Sequence, residues 1–501
     1  MKDTDGLIPL IRSMNKSEKR YFKLSSQLQS GNKIYLDLFD HIGKSKLFDE
    51  REFKSRHGNK KHAQNLAWRK HHLYDNLLSS LEGFHHSAEA NVHSLLHRTE
   101  ILFDKLLFRS CLKTLAKAKK IVLAYEMFPL LFEVIRWQET VAIRLSDMKL
   151  QQEAAANNEE AYRLFMNAYQ QKNFLNRIYT VHNRLGFFRN KKDEQEIADV
   201  LTNDLWKKEE HAYSLKAQRY FHYSHFIYYF MKGDLEKGYE HCKKGADTFF
   251  KHPSHITYNP HVFMNSINSL LYCCSSLHRY AEMKAFLDQF KAARKYFSKA
   301  HLAASLLLSY HELDYYSATG KLKEGVIAAR IIEKELASNE QVLSSLERTG
   351  LLINLAFTCF VNDKFRETIG LLNKVMREQA LDSRIDMDSM VRTFFIIAHY
   401  EKGASKNFMR SLVRSAYRRL LKQKNLHRYE RLILNFIRMD LVNADSDEKL
   451  IKAFRELREK LLKLKEDAYE GRPLEYFDLI AWLTSKIEGR SFAEMIRRNT
   501  H

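Results

Sequence analysis

The stretch YFMKGDLEKGYEHC at residues 229–242 returns at residues 316–329 as YSATGKLKEGVIAA. Each copy places an aromatic residue first (Tyr229, Tyr316), a glycine four positions on (Gly233, Gly320), a leucine two beyond it (Leu235, Leu322) and a second glycine three further (Gly238, Gly325). Glycine accepts the left-handed backbone that ends a helix, and the leucine behind it can plug the junction with the next helix. The second glycine, with Cys242 or Ala329 one turn later, leaves little bulk on one face, so two antiparallel helices can approach closely. Weaker copies turn at His278 (with Cys274, Tyr280, Met283 and Leu287), at Asp363 (with Cys359, Phe365, Thr368 and Leu372), at Gly403 and near Asn190. The turns at 190, 233, 278, 320, 363 and 403 are separated by 43, 45, 42, 43 and 40 residues. Such a ladder confines the chain to helix pairs that pack mainly on their neighbours.

Five prolines and 16 glycines in 501 residues are too few for the hairpin and crossover turns that a sheet protein of this length needs. Apolar residues recur at helical spacing through Leu102–Val122, Ala212–Met231, Leu302–Tyr316 and Leu450–Leu464. The first start signal is Asn15 with Glu18 three residues later, a capping box in which each residue caps the other's backbone N–H.

The aromatic, turn glycine, leucine and small residues at these offsets resemble the tetratricopeptide repeat, over about residues 170–430 and more faintly over 96–170. The step of about 42 residues exceeds the roughly 34 of that family, which makes each helix about a turn longer. The resemblance implies an all-α fold, a right-handed α-solenoid of antiparallel helix pairs with helical caps at both ends. A HEAT-like solenoid is the alternative architecture. The expected division is a basic, histidine-rich cap over 1–95, repeats over 96–430 and capping helices over 431–501. Residues 15–86 hold 7 of the 23 histidines, with a break expected at Lys54–Lys61, and Gly471 and Pro473 punctuate the last helices.

The opening residues lack the basic start and apolar stretch of a secretory signal. The most apolar run, Leu351–Val361, is 11 residues long, short of the ~20 that span a bilayer. Cys111, Cys242, Cys273, Cys274 and Cys359 are odd in number and have no C-x-x-C spacing, which reads as small buried residues in a reducing compartment. A cytoplasmic protein without a membrane span is expected.

Catalytic motifs are not recognised. Gly43-Lys44-Ser45 resembles the end of a phosphate loop, but the first glycine of that motif would fall at Leu38. His311-Glu312 begins like a zinc-protease helix, but Tyr315 stands where the second histidine belongs. His252, His255 and His261 in KHPSHITYNPH, and His71, His72 and Asp75 at helical spacing, are conceivable metal ligands. They read more simply as loop, surface and cap residues. The expectation is no enzyme, no cofactor, no metal and no small-molecule substrate.

Two surfaces could bind a partner. The helix Tyr213–Phe230 carries eight aromatic residues with His222 and His225 among them. The resemblance implies that the first helix of each pair lines a concave face. A peptide groove there would use Tyr223, Phe226 and Tyr229, with His311 and Asn354 at equivalent positions of successive repeats. Core packing on both sides of a long helix is the competing explanation. The basic residues of a carboxylate clamp do not line up, so capture of a peptide terminus is not expected.

The second surface lies between Lys402 and Arg431, with ten Lys or Arg against the single acid Glu430; the whole chain carries +21. Lys406, Arg410, Arg414, Arg418 and Lys422 recur every fourth residue, opposite Phe408, Leu412, Tyr417, Leu420 and Leu421. Like charges at that spacing repel by a few tenths of a kcal/mol per pair. Solvent, acids of an adjacent helix or an anionic ligand would have to offset this. The leading expectation is therefore a non-catalytic scaffold that binds a protein or peptide partner on its concave face. The alternative is a nucleic-acid-binding protein that uses residues 402–431.

Overall fold

The computed structural model describes residues 6–28, 34–44, 49–57, 66–188, 190–297, 306–338, 343–378, 381, 384–422, 428–441, 446–467 and 477–498. Among them all regular structure is helical, with no strand. The chain forms two compact units, one of Met1–Val122 with Arg136–Met148 and the other of Leu123–Ile135 with Lys149–His501. The boundaries expected at 95 and 430 therefore fall inside units. The helices Ala88–Asp104 and Arg428–Phe436 run across them.

In the first unit, Leu7–Ser13, Lys16–Leu28, Ile34–Lys44, Glu50–His57 and Leu66–Phe84 enclose Leu7, Ile11, Phe22, Leu38, Phe39 and Leu73. The capping box forms as expected: Asn15 N donates to Glu18 Oε2 at 2.6 Å and Glu18 N to Asn15 Oδ1 at 2.9 Å. The break expected at Lys54–Lys61 starts no earlier than His57, where a helix ends. Residues 58–61, Gly471 and Pro473 lie outside the described residues.

The second unit carries the hairpin ladder. Its pairs are Leu215–Lys232 with Leu235–Lys251, Pro260–Ser276 with Tyr280–Ala293, Leu306–Ala318 with Leu322–Ser338, Ser345–Val361 with Phe365–Val375, and Ile385–Glu401 with Lys406–Lys422. All five turns hold a left-handed residue, with φ of 89° at Gly233, 55° at His278, 73° at Gly320, 57° at Asp363 and 81° at Gly403. The hydrogen bonding repeats as well. The next N–H (Asp234, Arg279, Lys321, Lys364, Ala404) reaches back five residues to the carbonyl of Tyr229, Cys274, Tyr316, Cys359 or His399, at 2.7–3.0 Å. This is the bond that closes a Schellman turn. The second glycines act by their lack of bulk: a Cβ on Gly325 would lie 3.4 Å from Tyr316 Cβ, and one on Gly238 3.7 Å from Phe226 Cδ2.

The turn assigned to Asn190 is corrected. The long helix Met148–Leu185 ends at Gly186 (φ 72°). Asn190 instead caps the short helix Lys191–Gln195, accepting from Lys192 N and Asp193 N. Asn203 caps Asp204–Lys207 in the same manner, so two cap residues close together break this stretch into single turns. Asn167 and Gln171 of the long helix hold it in place through the carbonyls of His211 (2.7 Å) and Leu205 (2.8 Å).

Upstream, the helices Ala88–Asp104, Phe108–Ala124, Phe128–Arg144 and Met148–Leu185 turn at left-handed Leu106, Glu126 and Ser146 (φ 61°, 53°, 53°). Left-handed backbone costs a side-chain-bearing residue about 1 kcal/mol or more. Exchange of glycine at such turns should therefore have opposite signs. Leu106→Gly, at a residue 72% exposed, is expected to raise stability by about 1 kcal/mol. Gly320→Ala should lower it by more than that, because the new Cβ would lie 2.9 Å from Arg497 Cδ. Urea denaturation of the two variants reads both signs.

The C-terminal helices Asp447–Lys465, Leu479–Glu488 and Phe492–Arg498 share one core with the later hairpins. Phe477 and Phe492 pack against Phe360 at 5.8 and 5.4 Å and against Phe357 at 6.2 and 6.0 Å, and Phe477 reaches Phe394 at 4.6 Å. Glu401 accepts from Trp482 Nε1 and from Lys486 Nζ, each at 2.6 Å. These helices therefore cover side chains of the first helices Ser345–Val361 and Ile385–Glu401.

Candidate functional site

The aromatic helix Leu215–Lys232 is covered on several sides. Phe221, His222, Phe226 and Ile227 are buried, whereas Tyr213 is 44% exposed. At its N-terminus Glu126 accepts from Leu215 N (2.9 Å) and Lys216 N (2.6 Å), a carboxylate on the positive end of a helix. One turn on, buried Arg219 donates through Nε to Thr248 Oγ1 (2.8 Å) and through Nη1 to His255 Nδ1 (3.0 Å), over the Phe249 ring. Burial pulls its pKa down to about 10 against the pull of Glu126.

Further along, three imidazoles form a packed group. The ring of His225 lies between Trp206 (3.7 Å) and His241 (4.6 Å), and its Nδ1 donates to Phe221 O at 2.9 Å. His222 Nδ1 lies 3.2 Å from His241 Nδ1, and its Nε2 3.3 Å from Glu209 Oε1. Neutral tautomers satisfy this arrangement: His222 donates to Glu209, and His241 donates to His222. Burial is the main cause that lowers the pKa of His222 and His241 to about 4 and that of His225 to about 3.

The groove residues read from the sequence are not brought together. Phe226 (8% exposed) and His311 (1%) are in the core, which removes both as surface contacts. Tyr223 is half-buried, and its hydroxyl is hydrogen-bonded with Ser269 of the next hairpin. His311 Nε2 donates to Asn268 Oδ1 at 3.1 Å, an atom that also accepts from Tyr310 at 3.1 Å. Tyr229 stacks on His241 at 5.6 Å. Asn354 donates to Gly350 O of its own helix at 2.9 Å. His311 thus joins its hairpin to the preceding one through Asn268, whereas Asn354 bonds within its own helix. An unmade bond at a buried polar group would cost about 1–3 kcal/mol.

An open groove of about 320 Å³ lies elsewhere, between the second helices Leu322–Ser338 and Phe365–Val375 over Ser345–Val361. Val326, Ala329, Leu355 and Leu371 give it an apolar floor, and Arg330, Glu333, Lys364 and Glu367 are among its lining charges. Lys374 closes one side with a 3.2 Å pair to Glu333. Ile327 (61% exposed) and Ile331 (54%) stand on the Leu322–Ser338 helix. Cys359 lines this groove half-buried, unlike the other four thiols, which are buried; all five are free. Burial raises its thiol to about 11.

The basic helix Lys406–Lys422 keeps its cationic row. Lys406, Arg410, Arg414 and Arg418 are exposed, and the side chains of Leu421 and Lys422 lie outside the described residues. Its buried face is corrected to Met409, Val413, Ala416 and Leu420, whereas Phe408 is 45% exposed and half-buried Tyr417 lies beside the cationic row, not opposite it. Arg419, next to the row, pairs with the fully buried Asp388 (3.4 Å), which also pairs with Arg392 at 2.8 Å.

Among the described residues no group of three His, Cys, Asp or Glu is placed to hold a metal, and no helix is long and apolar enough to cross a membrane. His255 is engaged by Arg219, and His71 pairs with Asp75 at 2.8 Å. No protein-family profile, curated protein or solved structure matches this chain.

Proposed function

We propose that the chain is a non-catalytic scaffold, a right-handed tetratricopeptide-like solenoid that binds a protein or peptide partner in the cytoplasm. The identical left-handed turns of five successive hairpins support the repeat reading, and five free thiols support a reducing compartment. The binding surface is moved from the first-helix row to the groove lined by Val326, Leu355 and Leu371. The observation that carries this is an open apolar floor with charges of both signs around it. Isolated exposed apolar residues need no explanation, but a contiguous set marks an interaction surface. A helical or extended segment with apolar anchors and mixed charge fits that lining.

Cross-linking mass spectrometry on the tagged full chain tests the assignment. Partners enriched by the wild type should fall at least tenfold with Val326→Glu/Arg330→Glu, two residues that line the groove, at an unchanged melting temperature. Equal enrichment by the double variant would reject the groove as the binding surface.

A further inference from the structure

The basic helix stands apart from the other second helices of the ladder. In Leu235–Lys251, Lys237 pairs with Asp234 (3.0 Å), Lys243 with Glu282 (3.7 Å) and Lys244 with Glu209 (2.7 Å). In Tyr280–Ala293, Lys284 pairs with Asp288 (2.5 Å) and Lys291 with Glu312 (3.2 Å). Lys406–Lys422 contains no Asp or Glu, and among the described residues Arg414 and Arg418 meet no carboxylate. Arg410, Arg414 and Arg418 follow one another at about 6 Å per step along the axis, with Arg410 hydrogen-bonded to Asn407 Oδ1 at 3.3 Å.

A second feature lies beside this row. The helix Arg428–Phe436 runs on into a π-helical turn, Ile437–Leu441, packed against the basic helix. Such turns are rare and gather at functional sites. This one sets Arg438 over the Tyr417 ring at 5.9 Å and leaves Met439 58% exposed. Asp440 of the same turn is exposed. The cations are arginines, which grip phosphate with two parallel N–H donors, and the half-buried Tyr417 offers a ring on which a base can stack.

We infer that the face formed by Arg410, Arg414 and Arg418, with Tyr417 and Arg438 at its edge, docks single-stranded nucleic acid. The row grips the backbone through charge and Tyr417 holds a base, a combination without sequence preference. An acidic protein segment would use the same charges but would gain nothing from the ring.

Fluorescence anisotropy on the full chain tests this, with a labelled 20-mer of deoxythymidine or uridine, a duplex of equal length and polyglutamate as probes. Three neutralised phosphates make single-strand affinity fall roughly 20-fold between 50 and 200 mM salt. Arg414→Glu/Arg418→Glu should weaken it at least tenfold. The same charge change at exposed Lys323 and Lys334 should leave it within twofold. Tyr417→Ala should weaken single-strand binding about fivefold or more without changing the salt slope. Unchanged binding by Arg414→Glu/Arg418→Glu, or polyglutamate binding as tight as the single strand, overturns the assignment. Tighter binding of the duplex overturns its single-strand part. Comparing deoxythymidine with uridine probes distinguishes DNA from RNA.

Discussion

Lowering the pH from 7 to 5 is expected to remove several kcal/mol of stability, through histidines that the fold keeps neutral. Burial is the first cause in each case. It brings His222 and His255 to about 4, and His225 and His311 to about 3, with Arg219 adding to the effect at His255 and His241 at His225. An unfolded histidine binds its proton near pH 6.5. Because the folded values lie below that, the unfolded chain takes up protons first as pH falls. The contribution is fully present above pH 6.5 and is lost progressively down to about pH 4. Each buried imidazole costs about 1.4 kcal/mol per pH unit in that window, or about 2 kcal/mol by pH 5. His222 and His241 share one hydrogen bond, so the pair contributes less than two independent groups.

Carboxylates act at lower pH. Glu378, held below its usual range by Arg348, loses its contribution only as it protonates. Urea denaturation at half-unit intervals from pH 5 to 8 should show a plateau above pH 7 and a steep decline below 6.5, corresponding to uptake of more than one proton. His225→Phe should make that decline shallower by about one proton. A stability that stays level between pH 7 and 5 contradicts the assignment of neutral buried imidazoles.

Which parts of this molecule could be read from sequence follows from what each turn and face demands. Gly233, Gly320 and Gly403 were visible because left-handed backbone selects glycine. His278 and Asp363 were visible through their flanking residues, such as Tyr280 and Phe365, and through the even spacing of the ladder. Leu106, Glu126 and Ser146 adopt the same backbone without a glycine, and so gave no signal. Asn190 was misread because an asparagine at a helix boundary serves equally as a turn residue and as a cap.

Helical periodicity showed that Leu215–Lys232 is rich in rings, but not which neighbours cover them. Its buried positions, from Ala217 through Ser224 to Met231, lie on several faces. The pair His311 and Asn354 was legible as a repeat position. His311 joins adjacent hairpins through Asn268 and Asn354 bonds its own helix, and polar residues on a repeating face look the same whether they meet a ligand or one another. The cationic row at Arg410, Arg414 and Arg418 was the most legible surface, because fourfold spacing fixes one side of a helix. The groove at Leu355 and Leu371 arises where three helices meet, which no single helix encodes.

The contact least accessible to sequence reading is also the one whose loss should cost most. Trp482 lies 81 residues from Glu401, to which its indole donates, and it is 1% exposed. Its ring meets Phe454 at 5.6 Å and Tyr400 at 6.1 Å. Trp482→Ala removes that ring and leaves a cavity, with an expected loss of about 3–5 kcal/mol. Trp482→Phe keeps most of the packing but removes the N–H, leaving Glu401 with Lys486 alone, and should cost about 1–3 kcal/mol. If the indole and the carboxylate act as one unit, adding Glu401→Gln to Trp482→Phe should cost less than the sum of the single changes. The alanine variant should also loosen the segment carrying Phe477 and Phe492 from Phe357, Phe360 and Phe394, so that protease cuts within 477–498 before the hairpins unfold. A Trp482→Ala protein that loses under 1 kcal/mol and resists cleavage there would show that the C-terminal helices are held by the hairpins without this anchor.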